Sequence, residues 1–424
     1  MRAYLALAAG ATIVALAGCA GGNTVVPSSR PVTAPALAGN ARPAASHYRR
    51  LFSFGDARGS CADGAWPDSA LVALKGSLYG TTYAGGNYSA GTIFSFTPGG
   101  AEQVFYSFEG SGRYGGNPLG GVTLVNGKFY GTTPGGGNYG AGVAYKIRTN
   151  SPIPIEQILH GFGNGNDGAQ PLAGLIASGD RLYGTTSGGG ANGLGTVFVV
   201  DAKSGKERVL HDFAGGSDGA APQAPLLVDG DGLYGTTNAG GPYNAGTVFR
   251  VNTRTGAERV LHAFTSLPDG ANPQAGLVLV NGTLYGTTEQ GGNSGSYGGG
   301  TLFRIGTDGK NERVLHSFGA GTDGRNPLSA PIAVNGTLYG TTSQGGLYSG
   351  SRGYSGTLYS FRLSDGKERV LHDFGNGSDG AFPWSSPVDF NGTLYGATAF
   401  GGDYFSFCVL SAGDTVGTVY RWTL

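Results

Sequence analysis

The sequence predicts an all-β fold, a seven-bladed β-propeller made of four-stranded antiparallel blades. Three observations lead to this prediction. A unit of roughly 51 to 56 residues recurs seven times, each unit contains four short strand-like segments, and the two chain ends carry complementary parts of one unit. Since no segment shows a helical period, strands joined by glycine-rich turns account for the whole repeat.

Each unit contains the same pieces in the same order. A short apolar segment such as 275–280 ends at Asn281-Gly282, a pair that favours the two positive φ angles of a type I′ hairpin. The second strand follows, then a loop with a Gly-Gly pair, a third strand such as 246–251 and a fourth such as 258–264. The second strand is the most regular piece; its copies lie at 77–82, 128–133, 181–186, 232–237, 283–288, 337–342 and 393–398.

The order of the fourth strands predicts how the ring closes. The first copy, 49–54, precedes the first complete unit, and the last unit ends at 417–424 without a fourth strand. A linear array gains nothing from this offset, whereas a ring uses it to pair its ends and remove the exposed edge. We therefore expect the N-terminal strand to complete the C-terminal blade.

Five sequence elements recur together over essentially the whole mature chain: LYGTT, GG, GTVF, VLHSF and DGxxP. This series resembles the GloVer tandem repeats of bacterial surface proteins, which are attached to the cell by varied anchors. The resemblance implies a secreted repeat protein, and it implies no particular activity.

The first residues predict export and lipid attachment. Residues 1–19 combine Arg2, a short apolar run and Leu16-Ala17-Gly18-Cys19, a tetrad that resembles a bacterial lipobox with Cys19 as the lipidated residue. Residues 20–47 form an Ala/Pro/Ser-rich tether before the propeller at 48–424. The expected location is the cell envelope, at the outer membrane because residue 20 is not Asp; secretion after ordinary signal cleavage is the alternative.

The balanced charge of the chain excludes nucleic acids as partners. The chain has 27 Lys+Arg and 27 Asp+Glu and no basic run, so the electrostatic surface that nucleic acids require is missing. We expect a monomer that contacts the membrane only through its lipid anchor.

Two repeated side chains suggest metal binding, and each has a simpler explanation. Histidines occupy one register of the fourth strand, but successive copies lie apart around a ring, which favours structural packing. The aspartates of the DGxxP segments favour turn formation, with calcium binding as the alternative. We therefore predict no metal and no cofactor. The positions are His160, His211, His262, His316 and His372, with Asp63, Asp167, Asp218, Asp269, Asp323 and Asp379.

Few other residues suggest catalysis. No nucleophile elbow is present, and the carboxylates outside the repeat are few, chiefly Asp68, Asp389, Asp403 and Asp414, so no catalytic residue is assigned. Besides Cys19, the cysteines are Cys61 and Cys408. Cys61 follows the closing N-terminal strand, and Cys408 lies in the long loop between the second and third strands of the last unit. Because an up-down meander places these two loops on one face, we predict a disulfide between the two cysteines.

Recognition must rest on residues that differ between copies, because the shared ones build the ring. The residues beside the proline of each DGxxP segment vary and include aromatic and amide side chains, which suit a glycan or a protein partner. We expect a non-catalytic binding or scaffold module; a lyase or glycosidase acting near Asp68 and Trp384, and a purely structural envelope protein, are the alternatives. The predicted ligand-binding residues are Trp66, Asp68, Tyr114, Gln223, Gln274, Phe382 and Trp384.

Overall fold

Among the described residues of the computed structural model, every regular element is a β-strand. The structure describes residues 47–55, 60–149, 154–295, 298–348, 355–403 and 415–424. Within these ranges, no helix is long and apolar enough to cross a membrane. Residues 42–424 belong to one compact unit.

The strands of the first half of the chain follow the predicted repeat. They are β1 (Tyr48–Ser53), β2 (Val72–Leu74), β3 (Ser77–Thr82), β4 (Thr92–Phe96), β5 (Glu102–Ser107), β6 (Gly115–Gly116), β7 (Thr123–Val125), β8 (Lys128–Thr133), β9 (Gly135–Gly136), β10 (Val143–Arg148), β11 (Glu156–Gly161), β12 (Ile176–Ser178), β13 (Arg181–Thr186), β14 (Thr196–Asp201), β15 (Glu207–Asp212) and β16 (Leu227–Asp229).

The second half continues the same series. Its strands are β17 (Gly232–Thr237), β18 (Thr247–Asn252), β19 (Glu258–Ala263), β20 (Val278–Val280), β21 (Thr283–Thr288), β22 (Thr301–Gly306), β23 (Arg313–Ser317), β24 (Gly324–Arg325), β25 (Ile332–Val334), β26 (Thr337–Thr342), β27 (Gln344–Gly345), β28 (Thr357–Arg362), β29 (Lys367–Asp373), β30 (Val388–Phe390), β31 (Thr393–Thr398) and β32 (Thr418–Thr423).

Seven four-stranded antiparallel sheets form a ring, which confirms the predicted propeller. Blades 1 to 6 are β2-β3-β4-β5, β7-β8-β10-β11, β12-β13-β14-β15, β16-β17-β18-β19, β20-β21-β22-β23 and β25-β26-β28-β29, and blade 7 is β30-β31-β32-β1. The innermost strands of successive blades contact one another, as β12 does with β7 and β16. Apolar clusters fill the joints between blades; in one, Val248 and Phe264 of blade 4 pack with Leu284 and Phe303 of blade 5.

The ring closes as the sequence predicts. Strand β1 pairs antiparallel with β32, with Tyr48 opposite Trp422 and Ser53 opposite Thr418. The register shifts between Arg50 and Phe52, and the same shift recurs between the third and fourth strands of the other six blades. The N-terminal strand therefore occupies the same position as every other outer strand.

The YGTT segment is repeated because each of its residues has a separate structural task. In blade 4 a Cβ atom on Gly235 would lie 2.5 Å from the ring of Phe249 in the next strand, so only glycine leaves room for this buried ring. Thr236 donates a hydrogen bond from Oγ1 to the carbonyl of Ala275 in blade 5, at 3.0 Å. Thr237 pairs with Thr247 of its own blade at 2.8 Å. Repetition thus builds the blades and joins them.

The chain between each DGxxP proline and the inner strand lies where neighbouring blades approach most closely. A Cβ on Gly120 of blade 2 would lie 2.3 Å from the backbone nitrogen of Gly174 in blade 3. A Cβ on the following Gly121 would lie 2.9 Å from the carbonyl oxygen of Ala70 in blade 1. This segment therefore faces the axis of the ring and leads to its mouth.

Candidate functional site

The DGxxP segments and the GG loops meet on one face of the ring, which we call the loop face. In blade 3, Ala169 of the DGxxP segment pairs with Gly188, two residues after the YGTT strand. The next residue, Gln170, accepts a hydrogen bond from the backbone N–H of Ser187 and donates its own N–H to Ala141 of blade 2. The loop face is therefore a continuous frame in which each blade is tied to its predecessor.

Three variable positions per blade line the mouth of this frame, and we call them the rim positions. They are the residue before the DGxxP proline, the residue after it, and the residue that follows YGTT. The first residues of the three sets are Trp66, Asp68 and Tyr83 of blade 1. The residue after the proline lies ahead of the inner strand, which begins four residues later, at Val72 in blade 1.

The residue before the proline adopts a left-handed backbone in all seven blades. Asparagine suits this conformation, and Asn117, Asn272 and Asn326 also donate their side-chain amides to backbone carbonyls of the preceding blade. Trp66 and Phe382 adopt φ angles of 57° and 59° without that compensation. Left-handed geometry costs an ordinary residue about 1–2 kcal/mol, so two bulky aromatic residues are held here in strained backbone.

These two residues belong to an aromatic sector that spans the joint between blades 7 and 1. Trp66 lies 5.9 Å from Tyr83 and 6.2 Å from Phe400 between ring centroids. Phe382 lies 5.6 Å from Trp384 and 5.8 Å from Phe400. Phe382 is buried, and the other four rings remain partly exposed. Ring closure therefore brings together residues that are more than 300 positions apart in sequence.

Asp68 lies beside the aromatic sector and is an unusual carboxyl group. Its Oδ1 is buried and makes no hydrogen bond among the described residues, and burial raises its pKa to about 8. Tyr83 is close enough that the charge of Asp68 adds to burial in raising the tyrosine pKa. Trp66 Nε1 is also buried without a described partner. A buried carboxyl oxygen and an indole N–H thus both lack a described partner beside partly exposed rings.

Gln223 and Gln274 lie at the equivalent rim position of blades 4 and 5, away from the aromatic sector. Gln274 donates from Nε2 to Oε2 of Glu289 at 2.5 Å. Burial raises the pKa of Glu289, and this hydrogen bond opposes the shift. Of the seven predicted ligand-binding residues, the structure groups Trp66, Asp68, Phe382 and Trp384, while the two glutamines line the same mouth.

Tyr114 lies elsewhere. It follows the outer strand of blade 1, receives a hydrogen bond from Arg113 Nη2 to its hydroxyl, and has the Arg113 guanidinium 5.2 Å from its ring centre. A groove at this outer edge is lined by Tyr114 together with Lys146, Arg148 and Ile155. Tyr114 stands where the other copies have the aspartate of DGxxP. That position lies at the perimeter of the ring and not at its mouth.

Other candidate residues have structural partners or lie outside the described residues. Asp403 forms an ion pair with Arg50, with an oxygen–nitrogen distance of 2.6 Å, and Asp389 accepts the backbone N–H of Gly392. Cys61 is buried in the apolar cluster at the closure. Cys19, Cys408 and Asp414 lie outside the described residues, so lipidation and the disulfide stay predictions.

The repeated histidines pack as the sequence analysis expects, but each has a partner that it missed. His211 lies edge-on to Phe213 with ring centres 4.9 Å apart, and its Nε2 lies 3.0 Å from Oδ1 of Asp218. The same seven-residue spacing joins every described pair of this kind. That constant spacing was visible in the sequence and could have identified the pairs.

Sequence reasoning also missed Tyr83, Glu289 and Phe400. The first two directly follow a YGTT strand and the third lies one residue further, where the repeat first diverges between copies. The position that follows YGTT could have been found in the sequence as the first variable residue after the repeated strand. The sequence does not show that the copies in blades 7 and 1 meet.

The family comparison agrees with this architecture. The profile of the Gloeobacter/Verrucomicrobia repeat matches residues 40–155 and 154–351. The chain belongs to this repeat family. No curated protein matches this member of the repeat family.

Solved structures are similar to this chain at low sequence identity. A protein of Bacteroides uniformis described as a 6-phosphogluconolactonase is 14% identical, with a TM-score of 0.50 over 76% of the repeat protein and 88% of that chain. An oligogalacturonate lyase in complex with manganese is 10% identical, with a TM-score of 0.46 over 90% and 94% of the two chains. A chain of a nidogen–laminin complex is 14% identical, with a TM-score of 0.41 over 68% and 91%.

Proposed function

We propose that this repeat protein is a surface-tethered, non-catalytic module that binds a neutral glycan at the mouth of the propeller. The observation that carries the proposal is the aromatic sector across the joint between blades 7 and 1. Partly exposed rings of Trp66, Tyr83 and Trp384 offer faces on which the C–H surfaces of sugar rings stack. Asp68 lies beside these rings, with its Oδ1 buried and without a described partner.

The strain at Trp66 and Phe382 supports recognition over packing. Asparagine satisfies this backbone position in three other blades and makes an additional hydrogen bond there. Aromatic residues give up that bond and still adopt the left-handed conformation. Strained residues concentrate at binding sites, where the surrounding structure holds them in place.

The charge of the rim favours a neutral ligand. None of the 21 rim positions carries Lys or Arg; the charged residues there are Asp68 and Glu289, both with raised pKa values caused chiefly by burial. An acidic polysaccharide would meet carboxyl groups without a compensating cation at these positions. Neutral oligosaccharides meet amides, hydroxyls and rings instead.

The test is a glycan array followed by isothermal titration with the neutral oligosaccharide that binds best. We expect Trp384→Ala and Trp66→Ala to weaken binding by about tenfold or more, as loss of an aromatic anchor does. Leu172→Ala changes the equivalent rim position of blade 3 and should leave the affinity within about twofold. Binding restricted to acidic glycans or to proteins, or full affinity in both tryptophan variants, would refute the proposal.

The same samples separate binding from catalysis. Asp68 lies on the mouth, and a glycosidase acting there would need its carboxyl group. A binding module leaves each oligosaccharide intact on prolonged incubation. Release of products that stops in Asp68→Asn, while the variant keeps wild-type circular dichroism, would show a lyase or glycosidase.

The proposed setting is the cell envelope, with the chain anchored through a lipid on Cys19 and the ring closure secured by a disulfide between Cys61 and Cys408. Mass spectrometry of the mature protein tests both. The expected mass includes a diacylglyceryl modification and lacks two hydrogens relative to the reduced chain. A start residue other than 19, or two thiols that react with iodoacetamide under non-reducing conditions, would contradict the anchor or the disulfide respectively.

A further inference from the structure

Among the residues that the structure describes, three joints between blades contain a cluster of one histidine and two carboxyl groups. The histidine comes from the outer strand of one blade, the aspartate from the DGxxP segment that follows, and the glutamate from the outer strand of the next blade. In each cluster one ligand-type atom per residue lies within 4.8 Å of the others. The clusters are His211-Asp218-Glu258, His262-Asp269-Glu312 and His316-Asp323-Glu368.

The histidines and two of the aspartates in these clusters are fixed by their surroundings. The histidine rings pack edge-on against phenylalanines, at 4.8 Å for His262 and Phe264. Asp269 accepts the backbone N–H of Thr265 at 3.0 Å, and Asp218 accepts that of Ala214 at 2.7 Å. The histidine and aspartate side chains are 11 to 24% exposed, so an ion can reach the clusters from solvent.

One carboxyl oxygen in these clusters lacks a partner. Oε1 of Glu258 and of Glu312 is buried and accepts no hydrogen bond from the described residues, and the same is true of Oδ1 of Asp323. A buried acceptor without a donor costs about 1–3 kcal/mol. A cation at the centre of the cluster would remove this cost.

Two other joints of the same ring show what happens when the set is incomplete. Between blades 1 and 2, tyrosine replaces the histidine, and Glu156 accepts hydrogen bonds from Tyr106 Oη and from the N–H of Gly115, both at 3.2 Å. Between blades 6 and 7, Tyr48 replaces the glutamate and stacks on His372 with ring centres 3.7 Å apart. At these two joints a tyrosine takes the place of one member of the set. At the remaining two joints Glu102, where Phe52 replaces the histidine, and Glu207, which follows His160 and Asp167, keep a buried Oε1 without a described partner and form no cluster within 4.8 Å among the described residues.

We propose that the three complete clusters bind divalent transition-metal ions, with zinc as the probe ion. The ligand atoms of a tetrahedral zinc ion lie about 3.4 Å apart, and the histidine–aspartate distances of 2.9 to 3.0 Å together with the 4.8 Å limit bracket that value. The imidazole nitrogen favours zinc over calcium, which prefers oxygen ligands alone. Two carboxylates with a neutral imidazole balance a divalent charge, and water completes the fourth position. The ion would then join neighbouring blades.

The histidines do not converge on one another, as the sequence-based expectation of no metal assumed. In the three clusters each histidine instead lies beside carboxyl groups from its own loop and from the next blade. Calcium is disfavoured in these clusters because it prefers oxygen ligands alone, and one member of each cluster is an imidazole nitrogen.

The full chain, stripped with a chelator and dialysed, is titrated with zinc chloride by calorimetry and examined by native mass spectrometry. Three zinc ions per chain are expected, with no saturable heat from calcium. Glu258→Gln and Glu312→Gln should each remove one ion while leaving the fold intact. Glu156→Gln is the matched control at a joint without histidine, and it should keep all three.

Two results would overturn the proposal. The first is absence of saturable zinc binding together with equal melting temperatures in zinc and in chelator, which would show clusters held by hydrogen bonds alone. The second is zinc binding whose stoichiometry is the same in wild type, Glu258→Gln and Glu312→Gln, which would place the ions elsewhere.

Discussion

The substitution Phe54→Ala tests whether the N-terminal strand contributes as much stability as any other outer strand. Phe54 is fully buried at the end of β1 and packs edge-on against Phe52 and against Phe94 of blade 1, each with ring centres 5.1 Å apart. Removing a buried phenylalanine side chain costs about 3–5 kcal/mol, from lost apolar burial and from the cavity that remains. We expect the free energy of unfolding to fall by about 4 kcal/mol.

The matched control is Phe213→Ala, the same position of the outer strand in blade 3. Phe213 is also fully buried, with ring centres 4.9 Å from His211 and 5.1 Å from Phe249. Urea unfolding followed by tryptophan fluorescence compares the two variants, since Trp422 lies on β32 next to β1. Similar losses support closure; a loss below about 1 kcal/mol for Phe54→Ala beside about 4 kcal/mol for Phe213→Ala would refute it.

Three further predictions concern the repeat and the mouth. Gly235→Ala should destabilise the protein by about 1–3 kcal/mol or more in urea unfolding, because the added Cβ would overlap the ring of Phe249. Gly99→Ala is the control and should be neutral or slightly stabilising, because the nearest atom would be 3.8 Å from its Cβ. Thr236→Val removes the hydrogen bond to blade 5 and leaves a buried carbonyl without its donor; we expect a loss of about 1–2 kcal/mol, and an unchanged midpoint would show that the bond contributes nothing. Asp68 keeps its proton up to about pH 8 in the folded chain but only up to about pH 4 in the unfolded chain. Its contribution to the free energy of unfolding therefore falls as pH rises through this window, by at most about 1.4 kcal/mol per pH unit. Asp68→Asn should therefore gain stability over wild type between pH 5 and pH 9, and a constant difference between the two proteins would contradict the raised pKa.

Much of the ring could be predicted from the sequence because its information is local and repeated. Asn281-Gly282 predicts a turn with two positive φ angles, and both residues adopt them, at 49° and 73°. The leading copy at 49–54 predicts closure because a missing fourth strand can be counted. Neither inference needs a distance between blades.

The candidate site was harder to predict from the sequence, because it depends on which side chains meet across the joint between two blades. Trp66 and Phe400 meet only after the ring closes, and no local pattern connects them. Tyr114 looked like a member of the same variable face, yet it occupies the position of a perimeter aspartate and contacts Arg113 there. Glu258 reaches His211 from the next blade, a contact that the sequence separation of 47 residues conceals.

The central claim is that the chain ends pair into one ring, because only this pairing places the aromatic residues of blades 1 and 7 side by side. Hydrogen exchange of the amides in β1, read by mass spectrometry beside those in β11, tests it most directly. The account predicts that β1 is protected to the same degree as β11, the outer strand of an internal blade. Exchange of β1 at the rate of an unpaired peptide, with β11 still protected, would contradict it.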